Sequence, residues 1–262
     1  MHRFFIGETG SLSISPGETL ALPEKLAHQV HAVLHFNVGE QLILFDNSGT
    51  EYVCSVTQSS RSGIDVQVNE QRIGKREPAL RVILCQGLLK SARFEFILEK
   101  GTELGVTTFV PTLCQRSLSG LEEAGPKKRQ RWERIMQEAT EQCGRSRVPE
   151  LQAIQPLARI LQELPSRTLA IMPWEEEEGQ SLHQILQTLR TDWIPPTDHE
   201  PYTVMIFIGP EGGLTAEEVA LAKEHGVQIV SLGSRILRAE TAALATVANV
   251  IYDLEALILG TV

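Results

Sequence analysis

Two segments near the C-terminus constrain this chain more than any others: Ile208-Gly209-Pro210-Glu211-Gly212-Gly213 and Leu232-Gly233-Ser234-Arg235-Ile236-Leu237-Arg238-Ala239-Glu240-Thr241-Ala242. Each follows a run of apolar, β-prone residues, at 203–208 and 227–232, and each leads into helix-like sequence. Strands that end in Gly-rich loops and turn directly into helices belong to open α/β sheets, which bind ligands at their carboxyl edge. Three glycines and a proline in the first loop let its backbone approach a ligand closely. The second segment carries Arg235, Arg238 and Glu240 among apolar residues, a costly placement for charge unless it meets something.

The same grammar runs back to residue 80. Strands are expected at 80–84, 106–110, 168–172, 203–208 and 227–232, and helices at 91–104, 127–143, 182–189, 215–225 and 241–259. Alternation of this kind predicts an α/β fold with a parallel sheet covered on both faces. Thr215 and Glu218 form a capping-box pattern directly after the first Gly-rich loop. Residues 1–73 read differently, as a small, mostly β domain with one helix at 24–36. In it Asp46-Asn47-Ser48-Gly49 marks a hairpin, and Ile64, Val66 and Val68 alternate with polar residues. The polar stretch 74–78 makes the boundary, giving domains 1–73 and 74–262; residues 192–201, with three prolines, read as a surface loop.

Charge and cysteine usage narrow the class. The net charge of −9 hides a segment, 70–150, that is net positive while the remainder is acidic. That segment is where a phosphate backbone would bind, although a charge run can equally be a solvated face. Cys54, Cys85, Cys114 and Cys143 form no CxxC pair, which fits reduced, buried thiols and a cytoplasmic location. No apolar run follows a basic start, so no secretory signal is expected. The apolar stretch 242–259 contains Asn249, Asp253 and Glu255 and is a poor membrane span.

Several familiar chemistries find little support. The loop at 209–213 lacks the GxxxxGK[ST] of a P-loop, no GxGxxG follows a strand, and no Ser/His/Asp or Cys/His arrangement is recognisable. His28, His31 and His35 share the helix face opposite Leu26, Val30, Val33 and Leu34. They read as a solvated or RNA-facing row, and no metal site is expected. Residues 175–178 read as a solvated acidic loop. Met172 and Pro173, with Trp174, stand at a strand end and form a third candidate wall of the pocket.

Taken together, the two C-terminal segments resemble the 16S ribosomal RNA uridine-N3 methyltransferases, members of the knotted SPOUT class. The likeness extends to Lys100-Gly101-Thr102-Glu103-Leu104-Gly105, Pro111, Arg116-Ser117, Glu138-Ala139, Glu141-Gln142, Gly144-Arg145 and Pro149. Met1-His2-Arg3-Phe4-Phe5 and Leu44-Phe45-Asp46 resemble that family's N-terminal PUA-like RNA-binding module. The resemblance implies a trefoil-knotted C-terminal domain, S-adenosylmethionine as cofactor, 16S ribosomal RNA as substrate and a homodimer, with no membrane. Three positions depart from the pattern: Leu214 stands where an aromatic is common, Cys143 where Ser is common, and His35 where Arg is expected.

On that resemblance the cofactor residues are Met172, Pro173, Ile208, Gly209, Glu211, Gly212, Gly213, Leu232, Gly233, Ile236, Leu237, Arg238 and Thr241. Arg238 is expected to stabilise a developing uracil anion, and Glu240 to position the base or accept its proton. Pairing of these two with each other, or capping of the last helix, is the structural alternative. RNA contacts are expected from Arg3, Arg116, Gln142, Arg145 and Arg147. The competing readings are a SPOUT methyltransferase acting on a ribose 2′-hydroxyl or on tRNA, and a non-catalytic RNA-binding protein.

Overall fold

A computed structural model describes residues 1–7, 14–60, 63–118, 120, 125–191, 202–258 and 260. The expected loop at 192–201 lies outside the described residues. The chain forms two compact units, Met1–Glu77 with Gln137–Val148, and Pro78–Met136 with Pro149–Val262.

The first unit holds β1 (His2–Phe5), β2 (Thr19–Ala21), α1 (Glu24–His28), β3 (Gln41–Phe45), β4 (Thr50–Ser60) and β5 (Gly63–Ile73). They form a sheet in the order β1-β3-β4-β5-β2, parallel between β1 and β3 and antiparallel elsewhere. Ile64, Val66 and Val68 are buried beside Phe4, Leu42, Leu44, Cys54 and Val56, as their alternation requires. The hairpin between β3 and β4 places Asn47 (φ 68°) and Gly49 (φ 92°) in the left-handed region. The expected helix at 24–36 is corrected. After α1 it opens into a π-helical turn, Gln29–Val33, in which the Leu34 amide donates to the Gln29 carbonyl. The wider turn rotates the apolar stripe, so Leu26 and Val30 are buried while Val33 is 62% exposed.

The second unit is α/β. Its strands are β6 (Arg81–Gly87), β7 (Thr108–Leu113), β8 (Glu150–Leu151), β9 (Gln155–Pro156), β10 (Thr168–Pro173), β11 (Thr203–Ile208) and β12 (Gln228–Val230). Its helices are α2 (Ser91–Leu104), the start of α3 (Pro126–Cys143), α4 (Leu157–Gln162), α5 (Leu182–Thr191), α6 (Ala216–Glu224) and α7 (Ala239–Ile258). The sheet runs β12-β10-β11-β6-β7-β8, with β9 also beside β7, and every pairing is parallel. Val204 through Ile208 are all buried, because helices cover the central strands on both faces. Met205 and Phe207 pack with Leu161 of α4 and with Val219 and Ala222 of α6, whereas α7 lies on β6 and β11 and packs against α2.

Sequence periodicity misses β2, β8, β9 and α4, each too short to show a pattern. Helix α7 is long and apolar enough to cross a membrane by composition alone. Here it buries Ala243, Val247, Val250 and Leu254 along one stripe, while Asp253 pairs with Arg190 and Glu255 accepts the Ala79 amide.

Candidate active site at the carboxyl edge of the parallel sheet

Chain order reverses around β11, which has β10 on one side and β6 on the other. Such a switch point leaves a crevice beyond the strand ends. The loop after β11 is held there from several directions. Gln86, buried at the end of β6, donates its Nε2 to the carbonyls of Gly87 (3.0 Å) and Gly209 (3.4 Å). Gly87 permits the close approach: a β-carbon there would lie 2.5 Å from the Pro210 nitrogen and 2.7 Å from the Gly209 carbonyl carbon. Gly213, with φ at 72°, closes the turn by donating its amide to the Pro210 carbonyl at 3.0 Å.

The capping box then starts α6. Thr215 Oγ1 accepts from the Glu218 amide, and Glu218 Oε2 accepts from the Thr215 amide. Glu218 Oε1 also accepts from the Gln115 amide at 2.8 Å, and the adjoining Arg116 donates Nη1 to the carbonyls of Gly212 (3.1 Å) and Leu214 (3.3 Å). Arg116, expected at the RNA, is therefore also a clamp on the Gly-rich loop.

Between this loop and the segment before α7 lies a cavity of about 280 Å³. Of the expected cofactor residues, Pro173, Ile208, Gly209, Glu211, Gly213, Ile236, Leu237 and Arg238 line it. Gly212, Leu232, Gly233 and Thr241 belong to the same segments but do not line it. Met172 is corrected: it does not line the cavity but is fully buried in the core with Met205 and Phe207, on the sheet face that α4 and α6 cover. Sequence reasoning missed Arg93, Pro210, Ala239 and Ala242 as lining residues, and Glu175, read as part of a solvated loop, is another. Leu214, at the position noted for departing from the aromatic pattern, is buried and forms wall and core at once.

The electrostatics are unusual for so small a volume. Glu211 Oε1 accepts from the Lys90 amide at 3.1 Å and lies 3.7 Å from Arg93 Nη1. Glu240 Oε1 lies 3.8 Å from Arg93 Nε. The second oxygen of each carboxylate, Oε2, is buried without a hydrogen-bond partner. A buried acceptor in that state costs about 1–3 kcal/mol until a donor arrives. The orphaned oxygen of Glu211, which lines the cavity, together with the glycine turn, fits a ligand bearing N–H or O–H groups and a flat apolar body. Among the described residues Arg238 forms no ion pair, so the alternative in which it pairs with Glu240 does not hold: Arg93 is the partner.

The residues expected at the RNA divide sharply. Gln142 and Arg147 are exposed, although Arg147 donates Nη2 to the Ser48 carbonyl at 2.7 Å. Arg145 is only 3% exposed, and its guanidinium is held by Glu77 Oε2 through Nε (3.2 Å) and Nη2 (3.0 Å). Arg3 donates to Glu51 Oε1 at 2.6 Å with 9% of its side chain exposed. Both are corrected from phosphate contacts to internal braces, because a guanidinium buried on a carboxylate is not available to a backbone phosphate. His28, His31 and His35 line a separate cavity of about 870 Å³ in the first unit, where His31 Nδ1 lies 3.0 Å from Ser59 Oγ. No group of His, Cys, Asp or Glu that could hold a metal occurs among the described residues. Burial pushes the thiols of Cys54 and Cys114 up to about 12 and that of Cys85 higher still, so these are not nucleophiles at neutral pH.

Comparison with known proteins agrees with this geometry. The RNA methyltransferase domain family matches residues 75–251. A ribosomal RNA small subunit methyltransferase E from Bacillus subtilis is 31% identical over 258 residues, 98% of this chain and 98% of that protein. The protein of the same description from Synechocystis is 30% identical across 88% of this chain and 72% of its own length. Among solved structures, a ribosomal RNA small subunit methyltransferase E from Neisseria gonorrhoeae bound to S-adenosyl methionine superposes with a TM-score of 0.80 at 29% identity, covering 95% of this chain and 96% of that one. A putative methyltransferase from Legionella pneumophila with bound cofactor SAM gives a TM-score of 0.75 at 29% identity, covering 97% and 98%. A Gly-rich crevice at a parallel-sheet switch point and likeness over the whole chain thus agree, and the chain belongs to the ribosomal RNA small subunit methyltransferase E family.

Proposed function

We propose that this protein is an S-adenosylmethionine-dependent methyltransferase that methylates N3 of a uridine in small-subunit (16S) ribosomal RNA. The observation that carries the reading is the cavity at the ends of β10 and β11, where apolar walls meet the Glu211 carboxylate, with its unpartnered Oε2, and an Arg238 that forms no ion pair among the described residues. When bound, S-adenosylmethionine supplies a methyl group on a cationic sulfur that leaves as a neutral thioether. Ile208, Leu214 and Leu237 give a flat nucleoside its apolar slot, and the backbone of residues 209–213 approaches it closely. The uracil N3 proton passes to the Glu240 carboxylate as the new N–C bond forms. Arg238 balances the negative charge that the ring carries meanwhile. Alignment of the two reactants does most of the work, since the methyl group arrives already activated.

In this reading residues 1–73 are a PUA-like module that holds the RNA, and residues 74–262 are a SPOUT domain with a trefoil knot. The enzyme works as a cytoplasmic homodimer without membrane attachment. Exposed Arg147 and Gln142 remain as RNA contacts, with Arg116 serving both loop and RNA. Two measurements test the proposal. Calorimetric titration with S-adenosylmethionine should give saturable binding, and its absence would end the enzymatic reading. Nucleoside mass spectrometry of ribosomal RNA from cells lacking the protein, before and after treatment with pure enzyme, should show 3-methyluridine appearing. A methylated ribose or a modified tRNA instead would overturn the assigned position.

A further inference from the structure

Arg93 occupies the first turn of α2, where the helix dipole disfavours a cation, and it lines the cavity. Its guanidinium uses two different edges: Nη1 faces Glu211 Oε1 at 3.7 Å and Nε faces Glu240 Oε1 at 3.8 Å. The two carboxylates are not held alike. Glu211 also accepts the Lys90 amide, so it keeps an anchor without Arg93. Glu240 has no other partner among the described residues, and its Oε2 is buried and unpaired. Glu240 itself does not line the cavity, although Ala239 and Ala242 on either side of it do.

We propose that Arg93 is a positioning residue for methyl transfer, fixing the Glu240 carboxylate at the start of α7, where its neighbours Ala239 and Ala242 line the cavity. This rests on the reading of the cavity given under the proposed function. Arg93 forms no part of the reacting set; it sets where Glu240 stands beside a second carboxylate. A lysine would not replace it fully, because its single Nζ lacks the two separated donors, Nη1 and Nε, that the planar guanidinium presents to the two carboxylates.

The test compares wild type, Arg93→Gln, Arg93→Lys, Glu240→Gln and the Arg93→Gln/Glu240→Gln double variant. Cofactor affinity is read by calorimetry with S-adenosylmethionine, turnover at saturating cofactor with undermethylated small subunits or their RNA, and folding by thermal melting. Arg93→Gln should lower kcat by about 10- to 100-fold while cofactor Kd moves by no more than about 3-fold, since Glu211 stays anchored. Arg93→Lys should fall between, and it carries the test if Arg93→Gln does not fold. In the Glu240→Gln background the Arg93→Gln change should have no further effect on kcat, as expected of residues acting through one another. An unchanged kcat, parallel losses in Kd and kcat, or a full second loss in the double variant would each overturn the proposal. Failure of the wild-type protein to bind the cofactor would instead remove the reading of the cavity, a result distinguishable from any confined to the variants.

Discussion

Two sets of arginine–glutamate pairs, one in each unit, look alike in sequence and differ in kind. In the first unit both oxygens of Glu77 and of Glu51 are used. Glu77 receives Arg145 at Oε2 and the amides of Ser146 (2.8 Å) and Arg147 (3.0 Å) at Oε1, and Glu51 receives Arg3 on one oxygen and Arg72 on the other. At the cavity the contacts to Arg93 are 3.7 and 3.8 Å, and each carboxylate keeps one buried oxygen unpaired. In the first set the carboxylates are complete as they stand and brace a fold, although Arg3 Nε is buried without a partner among the described residues. The undersatisfied set is complete only with something bound, which separates a structural ion pair from a functional one better than residue type does.

The largest test of that contrast is Glu77→Gln. It removes the charge facing the buried Arg145 guanidinium and one of the two oxygens that serve Arg145 and the Ser146 and Arg147 amides, and should lower stability by about 3 kcal/mol in chemical denaturation. A loss below about 1 kcal/mol would mean that the brace is not one. Next comes Gly87→Ala, whose methyl group meets backbone atoms of residues 209 and 210 that have no side chain to yield. It should weaken cofactor binding about 100-fold, or about 2.7 kcal/mol, with the melting temperature little changed. Arg116→Ala removes the clamp on the Gly212 and Leu214 carbonyls, one exposed and one part-buried hydrogen bond, and should weaken cofactor binding about 5-fold, about 1 kcal/mol. Unaltered cofactor affinity together with weaker RNA binding would return Arg116 to the nucleic acid alone.

The smallest effect is confined to acid. Burial raises the Glu51 carboxyl, but the hydrogen bonds and charges of Arg3 and Arg72 outweigh it and hold the group below the usual carboxylate range. Its contribution is therefore fully present above the unfolded carboxylate value of about 4.3 and is lost as pH falls through the lower folded value. Denaturation midpoints of wild type should drop over that acid range more steeply than those of Glu51→Gln. Parallel curves would show that Glu51 is not linked to folding.

Much of the second unit was readable because its elements are long and strongly patterned. The strand Thr203–Ile208 and the helix Ser91–Leu104 stand at the expected residues, as does the capping box at Thr215 and Glu218. The π-helical turn at Gln29–Val33 could not be read, because the sequence periodicity was compatible with an ordinary helix and packing selected the wider turn. Arg93 and Gln86 were missed for another reason: they lie more than a hundred residues from the loop they serve, and no local pattern marks them.

Spacing and composition by themselves determined the alternation of strands and helices, the two Gly-rich loops and hence where a ligand-binding edge must lie, since these follow from side-chain periodicity and backbone freedom over a few residues. Only the tertiary structure decided which charges are available. Arg3 and Arg145 are turned inward onto carboxylates, while Arg93, which lines the cavity, faces Glu211 and Glu240 from a separate element. Whether a charge braces or waits depends on partners brought within 4 Å by the sheet order, and that distance is set by folding, not by neighbourhood along the chain.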